Sequence, residues 1–208
     1  ILGGDMGYDV YGLNPQINVP KSIEVKDWFD IDWNKMTEDE KEAHFKAQDK
    51  YERENPGVYF RANVWYWRPV WNFVCAACED FLSDRDLEAG CSNSGDKISK
   101  TKAKRIASRL RKLDKQGIIQ KWEDEMMIPY NEARVHNKIV DNELDVFQEK
   151  MKSKYHANIV PAEYNEKDRE KWDSIYSKRS WASSYPPSRD LIMEFATFCE
   201  ESGGFEIC

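Results

Sequence analysis

The chain of 208 residues carries 31 Lys and Arg against 38 Asp and Glu, a net charge of −7, and 13% of it is aromatic, with eight Trp. So much bulky apolar material excludes a disordered polymer, and the length suits one substantial core better than several. The acidic balance excludes general attraction of the whole molecule to nucleic acid or anionic lipid, so any such binding has to be local.

The charge is segregated. Residues 27–54 hold ten acids and five bases, residues 97–115 hold nine bases against Asp114 alone, and residues 190–208 hold five acids and no base. Five cysteines without regular spacing do not form the framework of a small secreted domain, and a reducing cytoplasm fits them better. No run approaches the ~18 apolar residues of a membrane span, and the amino end lacks the layout of a signal peptide. Met6-Gly7-Tyr8-Asp9 reads as a natural start, with Ile1 to Asp5 upstream of it.

In chain order, Tyr8, Val10 and Leu13 alternate with polar residues and suggest a short strand, ended by Pro15 and Pro20. Thr37-Glu-Asp-Glu40 is a capping box that opens a helix over 38–53, closed by Asn55-Pro56-Gly57. Residues 59–82 concentrate the aromatic side chains, and Pro69 suits the first turn of a core helix that buries Val70, Trp71, Val74, Cys78, Phe81 and Leu82. Trp67, Trp71, Phe73 and Phe81 are expected inside, leaving Arg61, Trp65 and Tyr66 at the surface. Ser83 to Gly90 reads as a short capped helix and 91–95 as a polar loop.

Ser99 caps the next helix, where Ala103, Ile106, Leu110 and Leu113 form a narrow apolar stripe, the rest of the circumference is basic, and Gly117 supplies the stop. From 118 to about 155 the chain reads as long helix. Apolar residues recur every seven at Ile119, Met126, Ala133, Val140 and Phe147, with Tyr130, Leu144 and Met151 beside them. Glu123 and Asn137 interrupt that seam and Pro129 should kink or break it. Such an arm pairs with a helix of its own chain or with another copy through 119–151. A short helix over 166–177, a last helix capped by Ser188 and stopped by Gly203-Gly204, and a terminal strand at 205–208 complete the expectation.

The fold class expected is therefore mainly α (α+β): a helical core, a small sheet formed by the two chain ends and a long helical arm. Residues 6–208 read as a single domain, with an acidic insertion at 21–57 and the arm at 118–165. The two ends should pair beside one another, because neither is long enough to stand alone.

Three blocks carry a resemblance: Met6-Gly-Tyr-Asp-Val-Tyr-Gly12, Tyr59-Phe-Arg-Ala-Asn-Val-Trp-Tyr-Trp-Arg-Pro-Val-Trp71 and Ser202-Gly-Gly-Phe-Glu-Ile-Cys208. In content and order they resemble a family of small uncharacterised proteins encoded by tailed bacteriophages. The run Lys100 to Leu110 also fits that family; the cysteine-rich insertion that its members often carry is replaced here by the long helix. The resemblance implies a phage origin and a place in the host cytoplasm, and it lends no activity and no functional residue.

The residues themselves suggest little chemistry. Cys75-Ala-Ala-Cys78 has metal-like spacing, but only Cys91 is near and His44, His136 and His156 lack partner spacing, so packing inside a helix is the expected role. No nucleophile elbow, phosphate loop or evident acid–base pair is present, and neither catalytic residue, cofactor nor metal is expected. Partner binding is the remaining reading. Its candidates are Lys100, Lys104, Arg105, Arg109, Arg111 and Lys112 on the basic helix, with Lys115, and the surface group Arg61, Trp65 and Tyr66. The basic arc suits an acidic host or phage protein, or nucleic acid as the alternative, or else is a solvated face that offsets the chain's own acids. The expected function is that of a non-enzymatic phage accessory protein serving host takeover or defence inhibition.

Overall fold

The computed structural model describes residues 7–22, 25 and 31–208. Ile1 to Met6 and the acids Glu24, Asp27 and Asp30 of the 21–57 segment lie outside the described residues. The described residues form seven α-helices and four strands in two compact units, one of Ile1–Gln120 with Ser188–Cys208 and one of Lys121–Pro187. The class is mainly α with a small sheet built on the chain ends.

In the first unit β1 (Gly7–Gly12) lies antiparallel to β4 (Gly204–Ile207), with Val10 opposite Ile207 and Gly12 opposite Phe205. Two further strands extend this pair: β2 (Tyr59–Asn63) on the outer edge of β1 and β3 (Asp96–Ser99) on the outer edge of β4, giving the antiparallel order β2-β1-β4-β3. Alternation explains why it folds this way. Tyr8, Val10, Phe60, Ala62, Ile98, Phe205 and Ile207 are buried, while Tyr11, Arg61 and Lys97 point to the open face. Residues 59–63, expected within the aromatic stretch before the core helix, and 96–99, which follow the expected 91–95 loop, are both strands. Runs of four and five residues give too few alternations to be told from coil by pattern alone.

Helix α1 (Glu38–Glu54) starts on the expected capping box, in which Thr37 accepts from the Glu40 N–H and Glu40 from the Thr37 N–H. At its end Asn55 is fully buried, and its amide bonds the backbone of Asn18, Val19 and Tyr51. Helix α2 (Val64–Cys78) begins five residues before Pro69, because Asn63 caps it by accepting from the N–H groups of Trp65 and Tyr66 at 3.1 Å each. Pro69 is thus inside the helix rather than in its first turn.

The faces of α2 and of α7 (Arg189–Glu201) that meet the sheet are aromatic. Trp67 stacks between Tyr8 and Trp71 at 5.4 Å from each, and Phe195 meets the Trp67 ring edge-on at 5.4 Å. Both indoles find acceptors on α3 (Asp84–Ala89) and its stop: Trp67 Nε1 donates to Gly90 O at 2.8 Å and Trp71 Nε1 to Leu87 O at 2.9 Å. A Cβ at Gly90 would lie 2.2 Å from the Trp71 ring, so close approach and not backbone angle requires glycine there. Phe81 is only half-buried, contrary to expectation, because α2 has ended at Cys78 and the ring lies beneath arginines.

The second unit is built on α5 (Ile118–Lys154), described as one continuous helix through Pro129. Its buried line within the unit is Ala133, Asn137, Val140, Leu144, Phe147 and Met151, alternating steps of four and three. Ile159, Tyr164 and Ile175 cover it, the last from α6 (Glu166–Tyr176), with Trp172 packed against the group. Met126, expected in the seam, is 45% exposed. Asn137, expected to interrupt it, is buried within it: its amide donates to Ser180 O at 2.9 Å and to the Ser183 hydroxyl, and its oxygen accepts from Ser180 N.

The candidate interaction surface on the basic helix

Helix α4 (Lys100–Lys115) owes its place to one stripe. Ser99 caps it through the Lys102 N–H, and Ala103, Ile106, Ala107 and Leu110 are buried against α7 and the sheet. Leu113, the fourth member of the expected stripe, is half-buried at the helix end. The remaining arc holds the cations, which the structure divides into two groups.

The arginines are committed to the fold. Arg109 donates to the Ala77 carbonyl at 2.6 Å and to Asp80 at 2.9 Å, so its charge lies at the C-terminal end of α2, where the helix dipole favours a cation. It holds the Asp80 carboxyl below the usual range by hydrogen bonding. The Arg105 guanidinium lies 4.1 Å from the centre of the Phe81 ring, and Arg111 binds Thr197 at 2.7 Å and Glu200 at 3.2 Å on α7. Lys102 pairs with the buried carboxylate of Asp86.

Lys100, Lys104, Lys112 and Lys115 remain exposed and make no ion pair among the described residues. Three of them, Lys104, Lys112 and Lys115, line one groove of about 950 Å³ together with Arg111, Ser108, Gln16 and Glu200. Helix geometry puts Lys104, Ser108, Lys112 and Lys115 on one wall, at steps of four, four and three. This wall can take several carboxylates or a run of phosphates as separate point charges.

Arg61, Trp65 and Tyr66 are exposed, as expected. Arg61 and Tyr66 line a different depression, of about 520 Å³, with Asn63, Ser188, Asp190 and Glu194. The nine candidate residues therefore do not converge: Arg61 and Tyr66 share one hollow, Lys104, Arg111 and Lys112 share another, and Trp65, Lys100, Arg105 and Arg109 line neither.

One group escaped the sequence reading. On the open face of the sheet, Tyr11 faces Tyr59 across the β1–β2 ladder with ring centres 5.2 Å apart, and the Tyr59 hydroxyl donates to Asp9. Burial first, then the Asp9 carboxylate, pushes the pKa of Tyr59 far up, so this phenol is a fixed donor at neutral pH. Polar alternation at Asp9/Tyr11 and Tyr59/Arg61 is the only signal that could have paired these residues.

Burial also governs the cysteines. Burial raises Cys75 to about 11 and Cys78 to about 12, further above neutral pH than an ordinary thiol. Among the described residues no group of three or more His, Cys, Asp or Glu is placed to hold a metal ion, and no helix is long and apolar enough to cross a membrane. No family model, no curated protein and no solved structure matches the chain.

Proposed function

We propose that the protein is a non-enzymatic accessory protein of a tailed bacteriophage, acting in the host cytoplasm by binding an acidic host or phage protein in the service of host takeover or defence inhibition. The observation that supports this most is the division of α4: its arginines are tied to α2 and α7, whereas Lys104, Lys112 and Lys115 line an open groove that Glu200 and Glu201 also line, without forming an ion pair to either among the described residues. A lysine row that neutralised the chain's own acids would be paired with them, and this one is not. Nucleic acid is the alternative occupant of the same wall. With Arg105, Arg109 and Arg111 committed, only about four cations remain for phosphate, which predicts a shallow salt dependence of roughly −0.9 per contact.

The test is capture from host lysate with the wild-type chain and with Lys104→Glu/Lys112→Glu/Lys115→Glu, each with and without nuclease. A stoichiometric protein retained by the wild type, lost by the variant and indifferent to nuclease is expected. Retention by both chains would move the contact away from α4, and loss on nuclease treatment would replace the protein partner with nucleic acid. These surface lysines have no described ion pair, so the variant should fold, with a modest fall in melting temperature because Lys112 and Lys115 lie in the last turn of α4, where the helix dipole favours cations.

A further inference from the structure

Opposite its buried line, α5 carries a second apolar line. At ~100° per residue Ile128, Val135, Ile139 and Val146 fall within about 20° of one direction. They are 60%, 67%, 64% and 73% exposed. Large apolar side chains scattered singly on a surface need no explanation, but four β-branched ones aligned on one helix mark a contact. The steps between them, seven, four and seven, are those of a heptad seam.

The pattern is symmetric about position 137, and we propose that this stripe binds a second copy of the chain, with the two α5 helices antiparallel. The two-fold then sets Ile128 against Val146 of the second copy and Val135 against Ile139 of the second copy. Glu132, the polar residue within the line, meets Asn142 of the second copy, which can donate to it. A parallel pair would instead put Glu132 against Glu132.

Charge selects the same direction. Lys121 is paired with Glu125, Lys152 with Glu149 and Lys154 with Asp168, each within the chain, and Lys150 makes no ion pair among the described residues. Antiparallel helices set Asp124 against Lys150 of the second copy at both ends of the seam, and parallel helices set Asp124 against Asp124 and Lys150 against Lys150. The four side chains offer on the order of 400 Å² per chain, about half of what a standard stable interface buries on each partner, so the dimer is a weak, reversible one. This surface is separate from the α4 groove, and its test does not depend on any partner being found there.

Sedimentation velocity from low to several hundred micromolar should show a reversible monomer–dimer equilibrium. Val135→Lys/Ile139→Lys should stay monomeric throughout, with unchanged circular dichroism and melting temperature, since both positions are exposed. Ile128→Cys/Val146→Cys should cross-link into dimers through the new cysteines, identified by mass spectrometry, while Ile128→Cys alone should not, because ~27 Å separates the two copies of that position. A wild type that remains monomeric at the highest concentration, a dimer indifferent to the double lysine variant, or self-cross-linking by Ile128→Cys alone would each overturn the proposal.

Discussion

Asp86 closes the capping box of α3, accepting from the Ser83 N–H at 2.7 Å and from the Ser83 hydroxyl, and the same oxygen accepts from the Lys102 ammonium on α4. Burial pushes the carboxyl up, but Lys102 and Ser83 outweigh it and leave it below the ordinary value. A carboxyl whose folded pKa lies below its unfolded ~3.9 adds stability that is present above that value and is lost as pH falls through the folded pKa. Asp86→Asn should therefore lower unfolding free energy by about 1–2 kcal/mol at neutral pH. The gap from wild type should close progressively below about pH 4, as denaturant melts across a pH series will show. A gap that stayed constant down to pH 2 would mean that the carboxylate charge is not what binds α3 to α4. The same lesson applies to the candidate site. That α4 is basic was legible, but which cations are free was not, since Arg109 meets Asp80 across 29 positions and Arg111 meets Glu200 across 89. Long-range pairing leaves no local trace.

At the scale of elements, β4 is central: it bonds β1 on one side and β3 on the other, and Phe205 and Ile207 are wholly buried. Removing residues 205–208 deletes both ladders and two core side chains worth on the order of 1.5–3 kcal/mol each. The truncated chain should melt far lower than the full one; an unchanged melting temperature would mean that the sheet does not need its last strand. The pairing of the ends could be read from short alternations that need a partner, and the caps at Thr37, Ser83, Ser99 and Ser188 could be read because capping is local. Pro69 misled for the same local reason. A proline suits a first turn, but Asn63 offered an earlier cap, and burial of Trp67 rewards the extra turn. In α5 a strict seven-residue count led to Met126, whereas the buried line follows steps of four and three and admits Asn137 once Ser180 and Ser183 satisfy its amide.

At the scale of the molecule, the chain's aromatic wealth is divided between two cores. In residues 121–187 Phe147 is the hub: its ring lies 6.1 Å from Tyr164 and 6.3 Å from Trp172, and it is buried with Val140, Leu144, Met151 and Ile175. A group of so few side chains has little stability to spare, and Phe147→Ala removes about 3–5 kcal/mol from it. The sheet and its aromatic layer, made of Trp67, Trp71, Phe195 and Phe205, belong to the other compact unit. Hydrogen exchange on Phe147→Ala should therefore show protection lost across residues 133–176 while the amides of the β1–β4 ladder, such as Val10 and Ile207, exchange as slowly as in the wild type. Equal acceleration in both regions would show one cooperative core where the packing describes two. The distinction bears on function, because α4 belongs with the sheet and the exposed line of α5 with the smaller core. If the two melt separately, Phe147→Ala should abolish self-association through α5 and leave binding at the α4 lysines intact.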